Sequence, residues 1–163
     1  MYEEIVKIIP IVVGGLLAVS GGVIGQIVTH RLTTSREKNT QLRARIESLM
    51  KALYGHSQWL HERHNVMIFQ RGNHDIPSPI DEAQMLQELY FPELSTEVLA
   101  VMQAQIPMIK FIGEQKVSRM RDETAWLKSW NPAPYDEAYK THLSAIKAAT
   151  KKCREVLETR LKS

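Results

Sequence analysis

The residue types able to do chemistry gather between positions 56 and 75. Gly72-Asn73-His74-Asp75 sets an imidazole beside a carboxylate, just ahead of Pro77 and Pro79. His56, His61 and His64 come before it. Imidazole and carboxylate are ordinary ligands of zinc and related metals, whose sites want three or four converging donors. His61 and His64 are three residues apart, so on a helix they share a face and could share one cation. His61-Glu62-Arg63-His64 is not HExxH, because the second histidine comes one residue early. Convergence with His56 or His74 would require the 70–79 loop to fold back on the helix. Histidines exposed on a helix explain the same residues with no metal. That is the expectation here, with no metal, cofactor or catalytic residue assigned.

Gly72-Asn73-His74-Asp75 also resembles the GNH[DE] box of the metallophosphoesterases. That resemblance implies two cations about 3.5–4 Å apart, held by several boxes at the strand ends of an α/β sandwich. The companion boxes are missing. Asp75, Asp81, Asp122 and Asp136 each fail to begin D-x-H, and no Gly-Asp pair exists. Gly55-His56-Ser57-Gln58 has Gln where the second histidine of G-H-x-H belongs, and it precedes the box instead of following it. The reading is therefore non-enzymatic, with Gly72, Asn73 and Asp75 as turn chemistry. No G-x-S-x-G and no P-loop is present. Cys153 lacks a second cysteine to pair with and falls on an apolar helical stripe, which predicts a buried, inert thiol.

Hydrophobic residues make up 44% of the 163, charged ones 24%, and the net charge is +3. The charge is unevenly placed. Between residues 30 and 51, six bases (Arg31, Arg36, Lys38, Arg43, Arg45 and Lys51) face two acids. Residues 140–163 hold seven bases against two acids. Such stripes suit an anionic lipid surface, and equally a solvated helix face. Nucleic acid is not an expected partner.

"IIPIVVGGLLAVSGGVIGQIV", residues 8–28, is 21 residues without a charge. A helix needs about 20 to cross the hydrocarbon core. A cleaved signal peptide and a buried core helix are the alternatives. The first meets an acidic "MYEEIVK" start and an apolar run that continues past the small residues at 18–20. The second would carry five glycines, each costing about 1 kcal/mol in a water-soluble helix. The expectation is an uncleaved span within an anchor, residues 1–30, followed by a bundle, 31–163. Lys7 is the only base before the run, and the basic cluster follows it. The positive-inside rule then places the N-terminus outside and the body in the cytoplasm of a bacterial inner membrane. Gly14, Ala18 and Gly22, with Gly21 and Gly25, make a small-residue groove for helix pairing, so self-association is expected. Arg31, Arg36, Lys38, Arg43 and Arg45 are expected to face anionic lipid.

After residue 30 the apolar spacing is helical. Leu42, Ile46, Leu49, Leu53, Leu60 and Met67 mark one face of a helix over 29–69. Ser78-Pro79-Ile80-Asp81 restarts a short helix with Ser78 as its cap. A third segment from about 95 to 126 turns Val98, Val101, Met102, Ile109, Ile112 and Met120 inward, with a kink or break before Pro107. After "NPAP", Tyr139, Leu143, Ile146, Cys153, Leu157 and Leu161 stripe the last helix. The fold class is all-α: three long segments packed antiparallel, up-down-up. That topology puts the 131–134 turn near the bilayer and the loop of Arg71, Asn73, His74, Asp75 and Pro77 at the far tip. The loop is the candidate surface for an unidentified protein partner.

"ELYFPELSTEV", residues 88–98, resembles a loose group of small, N-terminally anchored, all-helical bacterial and phage membrane proteins of unknown function. The resemblance implies an inner-membrane setting, often near prophage or mobile elements, and assigns no catalytic residue. The expected role is anchoring or docking a partner at the inner face. The alternative is a membrane-active effector of the lysis or exclusion type that acts by oligomerising. A pore needs a polar face on the span, and only Ser20 and Gln26 offer one.

Overall fold

The computed structural model describes the backbone of residues 2–70 and 77–162, and the side chains of residues 26, 29–70 and 77–162. Among the described residues every regular element is helical, so the chain is all-α. The elements are α1 (Tyr2–Phe69), α2 (Ile80–Tyr90), α3 (Ser95–Ala104), α4 (Ile106–Arg121), α5 (Glu123–Ser129) and α6 (Ala133–Lys162). A 3₁₀ turn, Pro92–Leu94, joins α2 to α3. The chain divides into two compact units, residues 1–42 and 43–163. In the first unit the described side chains lie on α1 and are mostly exposed. The 8–28 run lies outside the described side chains apart from Gln26. Among the described residues no helix is long and apolar enough to cross a membrane.

The second unit is a helical bundle. Its α1 face is Ile46, Leu49, Leu53, His56, Leu60, His64 and Ile68, all buried. These recur every three or four residues, the spacing that keeps one stripe turned inward. The α6 face is Tyr135, His142, Ile146, Ala149, Cys153 and Val156. Tyr139, Leu143, Leu157 and Leu161 of the expected stripe flank it, half-buried.

Residue pairs give the direction of each leg. Ser78, just before α2, bonds His56, while Tyr90 at its end lies under Arg45, 4.0 Å from guanidinium carbon to ring centre. So α2 runs back against α1. Gln105 meets His56, Phe111 meets His64 and Lys116 meets Met67, so α3 and α4 run along α1. Tyr135 stacks on His64, His142 meets His56, and Arg160 donates to the Tyr90 carbonyl at 3.0 Å. So α6 runs back again. The bundle thus has four legs rather than three, because the short α2 is a complete return. The 131–134 turn therefore lies at the end of the bundle where α1 finishes, not at the opposite end as an up-down-up path requires.

The third expected segment is three helices. Pro107 breaks it after Gln105, and Asp122 breaks it again, accepting from the Ala125 N–H at 2.9 Å as the cap of α5. The first break resets the helical phase. Val98, Val101 and Ile112 are buried as expected, but Ile109 and Met120 are exposed, and Met108 and Phe111 fill the core instead. The α2 start is shifted by one residue. Pro79 is the boundary residue, although the Ser78 hydroxyl still accepts from the Ile80 N–H at 3.3 Å. Phe91 and Leu94 are fully buried, so "LYFPEL" works as a tight turn with two apolar pegs.

Gln70 ends α1 with φ 56°, its N–H bonded to the Val66 carbonyl at 3.0 Å. A side chain in this left-handed region costs about 1 kcal/mol that glycine avoids. Arg119 donates to the Ile68 carbonyl, which the last turn of α1 leaves without an intrahelical partner, and pairs with Glu123 at 2.6 Å. Gln70→Gly is therefore expected to raise stability by about 0.5–1 kcal/mol, read as a higher denaturant midpoint. A lower midpoint would contradict the left-handed cap.

Candidate functional site

Among the described residues, unusual chemistry concentrates in buried polar groups of the bundle. His56 and His142 are fully buried, and His64 is nearly so. Burial of an ionisable ring is uncommon unless its nitrogens find partners. His56 has both. Its Nδ1 is 3.0 Å from Ser78 Oγ and its Nε2 is 2.9 Å from Gln105 Oε1. The amide oxygen can only accept, so Nε2–H donates to it. Nδ1 must then accept from the Ser78 hydroxyl, whose oxygen in turn accepts from the Ile80 N–H. The order Ile80 → Ser78 → His56 → Gln105 fixes one neutral tautomer, as inferred from the bonding partners.

The His56 ring stacks on Trp59 at 5.6 Å and meets the edge of His142 at 5.6 Å. Neither nitrogen of His142 makes a well-formed hydrogen bond; the Val101 carbonyl acts on the ring without making one. Burial lowers the His142 pKa to about 4, helped by the neighbouring His56 and opposed by the Val101 carbonyl. Burial also lowers His56, against the Gln105 bond and Asp81, which both raise it. His64 is lowered by burial too; Asn65 and Asp136 oppose this, and His61 adds to it. Its ring lies on Tyr135 at 4.0 Å, within a cluster of Phe69, Phe111, Trp126 and Trp130. The Tyr135 hydroxyl and His64 Nε2 are buried without partners, and burial pushes the tyrosine pKa up.

The chemistry of this layer is that of neutral hydrogen-bonding rings. Ser78, His56 and Gln105 follow the order of a nucleophile, base and orienting group. The serine oxygen, however, already holds a backbone N–H, and the imidazole faces an amide where a carboxylate would stabilise its charged form. The network is therefore built for position.

The sequence-derived residues fall as follows. His56 and His64 are buried, contrary to the expected exposed histidines; His61 is exposed, 6.3 Å from His64 between ring centres. Among the described residues no three His, Cys, Asp or Glu groups gather as a metal site. Arg71, Asn73, His74 and Asp75 lie outside the described residues, and Pro77 is exposed. Gly14, Ala18, Gly21, Gly22 and Gly25 lie outside the described side chains. Arg31, Arg36, Lys38, Arg43 and Arg45 are exposed, with Arg45 also set over Tyr90. Cys153 is buried and its pKa is raised to about 11 by burial, the inert thiol expected. Sequence reasoning missed His142 and Gln105. His142 had a signal: it lies seven residues after Tyr135 and four before Ile146, on the buried stripe itself. No protein-family model, characterised protein or solved structure matches the chain.

The histidines fix the sign of the pH response. Their folded pKa values lie below the ordinary value of 6.5, so above it both states are neutral and stability is full. As pH falls from 6.5 towards about 4, the unfolded chain takes up protons first and stability is lost. His142→Leu is expected to flatten that loss while leaving stability at pH 7 unchanged or higher, because it removes two nitrogens that lack a well-formed hydrogen bond. His56→Ala is expected to cost about 2–4 kcal/mol at neutral pH, since it orphans Ser78 and Gln105. Denaturant midpoints at several pH values check both. An unaltered pH slope in His142→Leu would contradict the account.

Proposed function

We propose that the chain is a non-enzymatic, single-pass membrane protein that holds a helical docking module at the inner face of a bacterial membrane. One observation carries the reading. A single helix, Tyr2–Phe69, holds both the uncharged 8–28 run and the buried α1 face of the bundle. An uncharged stretch of that length and glycine content suits lipid better than water. The exposed bases that follow it add to the case. Arg31 and Lys38 line a shallow depression with His30, Thr34 and Ser35, a polar surface suited to phosphate oxygens. A basic residue this close to an anionic leaflet contributes about 1 kcal/mol each. On this reading the N-terminus is outside and the body cytoplasmic, in the prophage or mobile-element setting that the "LYFPEL" resemblance implies. On the same reading the segment of Arg71, Asn73, His74, Asp75 and Pro77 is offered to a partner.

Carbonate washing of membranes tests the anchor. The protein is expected to stay in the pellet, and release into the supernatant would refute the reading. In intact spheroplasts a Lys162→Cys thiol should resist an impermeant label and react only after lysis. Labelling before lysis would reverse the orientation.

A further inference from the structure

The outer face of α4 is apolar where a surface helix is normally polar. Ile106, Ile109, Val117 and Met120 are 59%, 48%, 49% and 77% exposed. Gly113 stands among them, and a Cβ there would meet nothing within 4 Å. At about 100° per residue, these five positions fall within about 40° of one line down the helix. Met108, Phe111 and Ile112 occupy the other side and are buried in the bundle. The stripe therefore faces away from the core and stands exposed among the described residues.

Its spacing is symmetric. Ile106 and Met120 lie seven residues on either side of Gly113, and Ile109 and Val117 lie four on either side. A partner of unrelated shape gains nothing from such a palindrome. A second copy does, because a two-fold axis at Gly113 reverses the helix and brings each residue opposite its mirror position. Ile106 then faces Met120 and Ile109 faces Val117, with glycine at the closest approach. Isologous interfaces have this self-complementarity.

The charges agree. Lys110 and Glu114 lie along one edge of the stripe, 3.9 Å apart and well exposed. The two-fold keeps that edge on the same side in both copies. It sets Lys110 of one copy within two residue steps, roughly 3 Å along the axis, of Glu114 of the other. The pair occurs twice. Beside Glu114 is a shallow depression, also lined by Gly113, Val117, Ser118 and Arg121, level with the incoming Lys110.

We propose that α4 is a homodimerisation surface on which two copies pack antiparallel about Gly113. This goes beyond the membrane reading and does not depend on it. Variants of the full chain that each add one cysteine to the buried native Cys153 test it in mild detergent. Gly113→Cys is expected to give a disulfide-linked dimer on mild oxidation. Ile106→Cys and Met120→Cys should each crosslink poorly alone and form a mixed dimer together. Lys147→Cys, exposed on α6 and away from the stripe, should stay monomeric. Lys110→Glu should weaken the Gly113→Cys crosslink several-fold, and adding Glu114→Lys should restore it. A monomeric Gly113→Cys would overturn the proposal, including a dimer held only through the anchor or a stripe occupied by lipid. So would Lys147→Cys crosslinking as well as Gly113→Cys.

Discussion

The bundle is organised around the two hydrogen bonds of His56. One nitrogen holds Ser78 at the entry to α2, and the other holds Gln105 at the break between α3 and α4. A third leg arrives as the edge of His142 on α6. Four parts of the chain thus meet at one level. Burying an imidazole is costly, and at His56 both nitrogens are used to offset that cost, so the geometry around this ring has little freedom. Removing either partner leaves an orphaned polar atom in the core, a larger loss than the bond's net contribution.

That level also explains why the legs differ in length. Between Arg45 and His56 the bundle holds α1, α2, α3 and α6. Beyond His56, α2 has not begun and α4 takes over from α3, so the space is filled by aromatic rings instead. Trp126, Trp130, Tyr135 and Phe111 surround His64 and Phe69 there, and Trp126 donates to Gln115 at 2.9 Å. At the other end, Arg160 ties α6 to the α2–α3 turn through the Tyr90 carbonyl and Glu93. Polar ties at both ends and the middle fix register, while Leu49, Leu53, Leu60, Leu94 and Ile146 supply the burial that favours folding.

Much of this was legible in the sequence. Helical spacing gave the α1 face, the inert Cys153 and the all-α class, because one period repeats over several turns. The number of legs was not legible. An eleven-residue α2 reads as a connection unless one knows that Ser78 and Tyr90 contact opposite ends of α1. The inward face of α4 was also misread, because the break expected before Pro107 resets the helical phase and the apolar spacing was carried across it. The histidines show a different limit. Periodicity places His56, His64 and His142 on buried stripes, yet the polar character of histidine argues for the surface. Only the partner at Gln105, 49 residues away, resolves the conflict for His56. The His56 network is assembled from distant segments, whereas a motif such as GNHD is read locally.

If His56 is the neutral hub, its ring should say so directly. Long-range ¹⁵N–¹H spectra of the imidazole across a pH titration read tautomer and charge at one residue. The account predicts the Nε2–H tautomer, with Nδ1 as acceptor, and a pKa below the ordinary 6.5. A ring that titrates at or above 6.5, or that carries its proton on Nδ1, would contradict it.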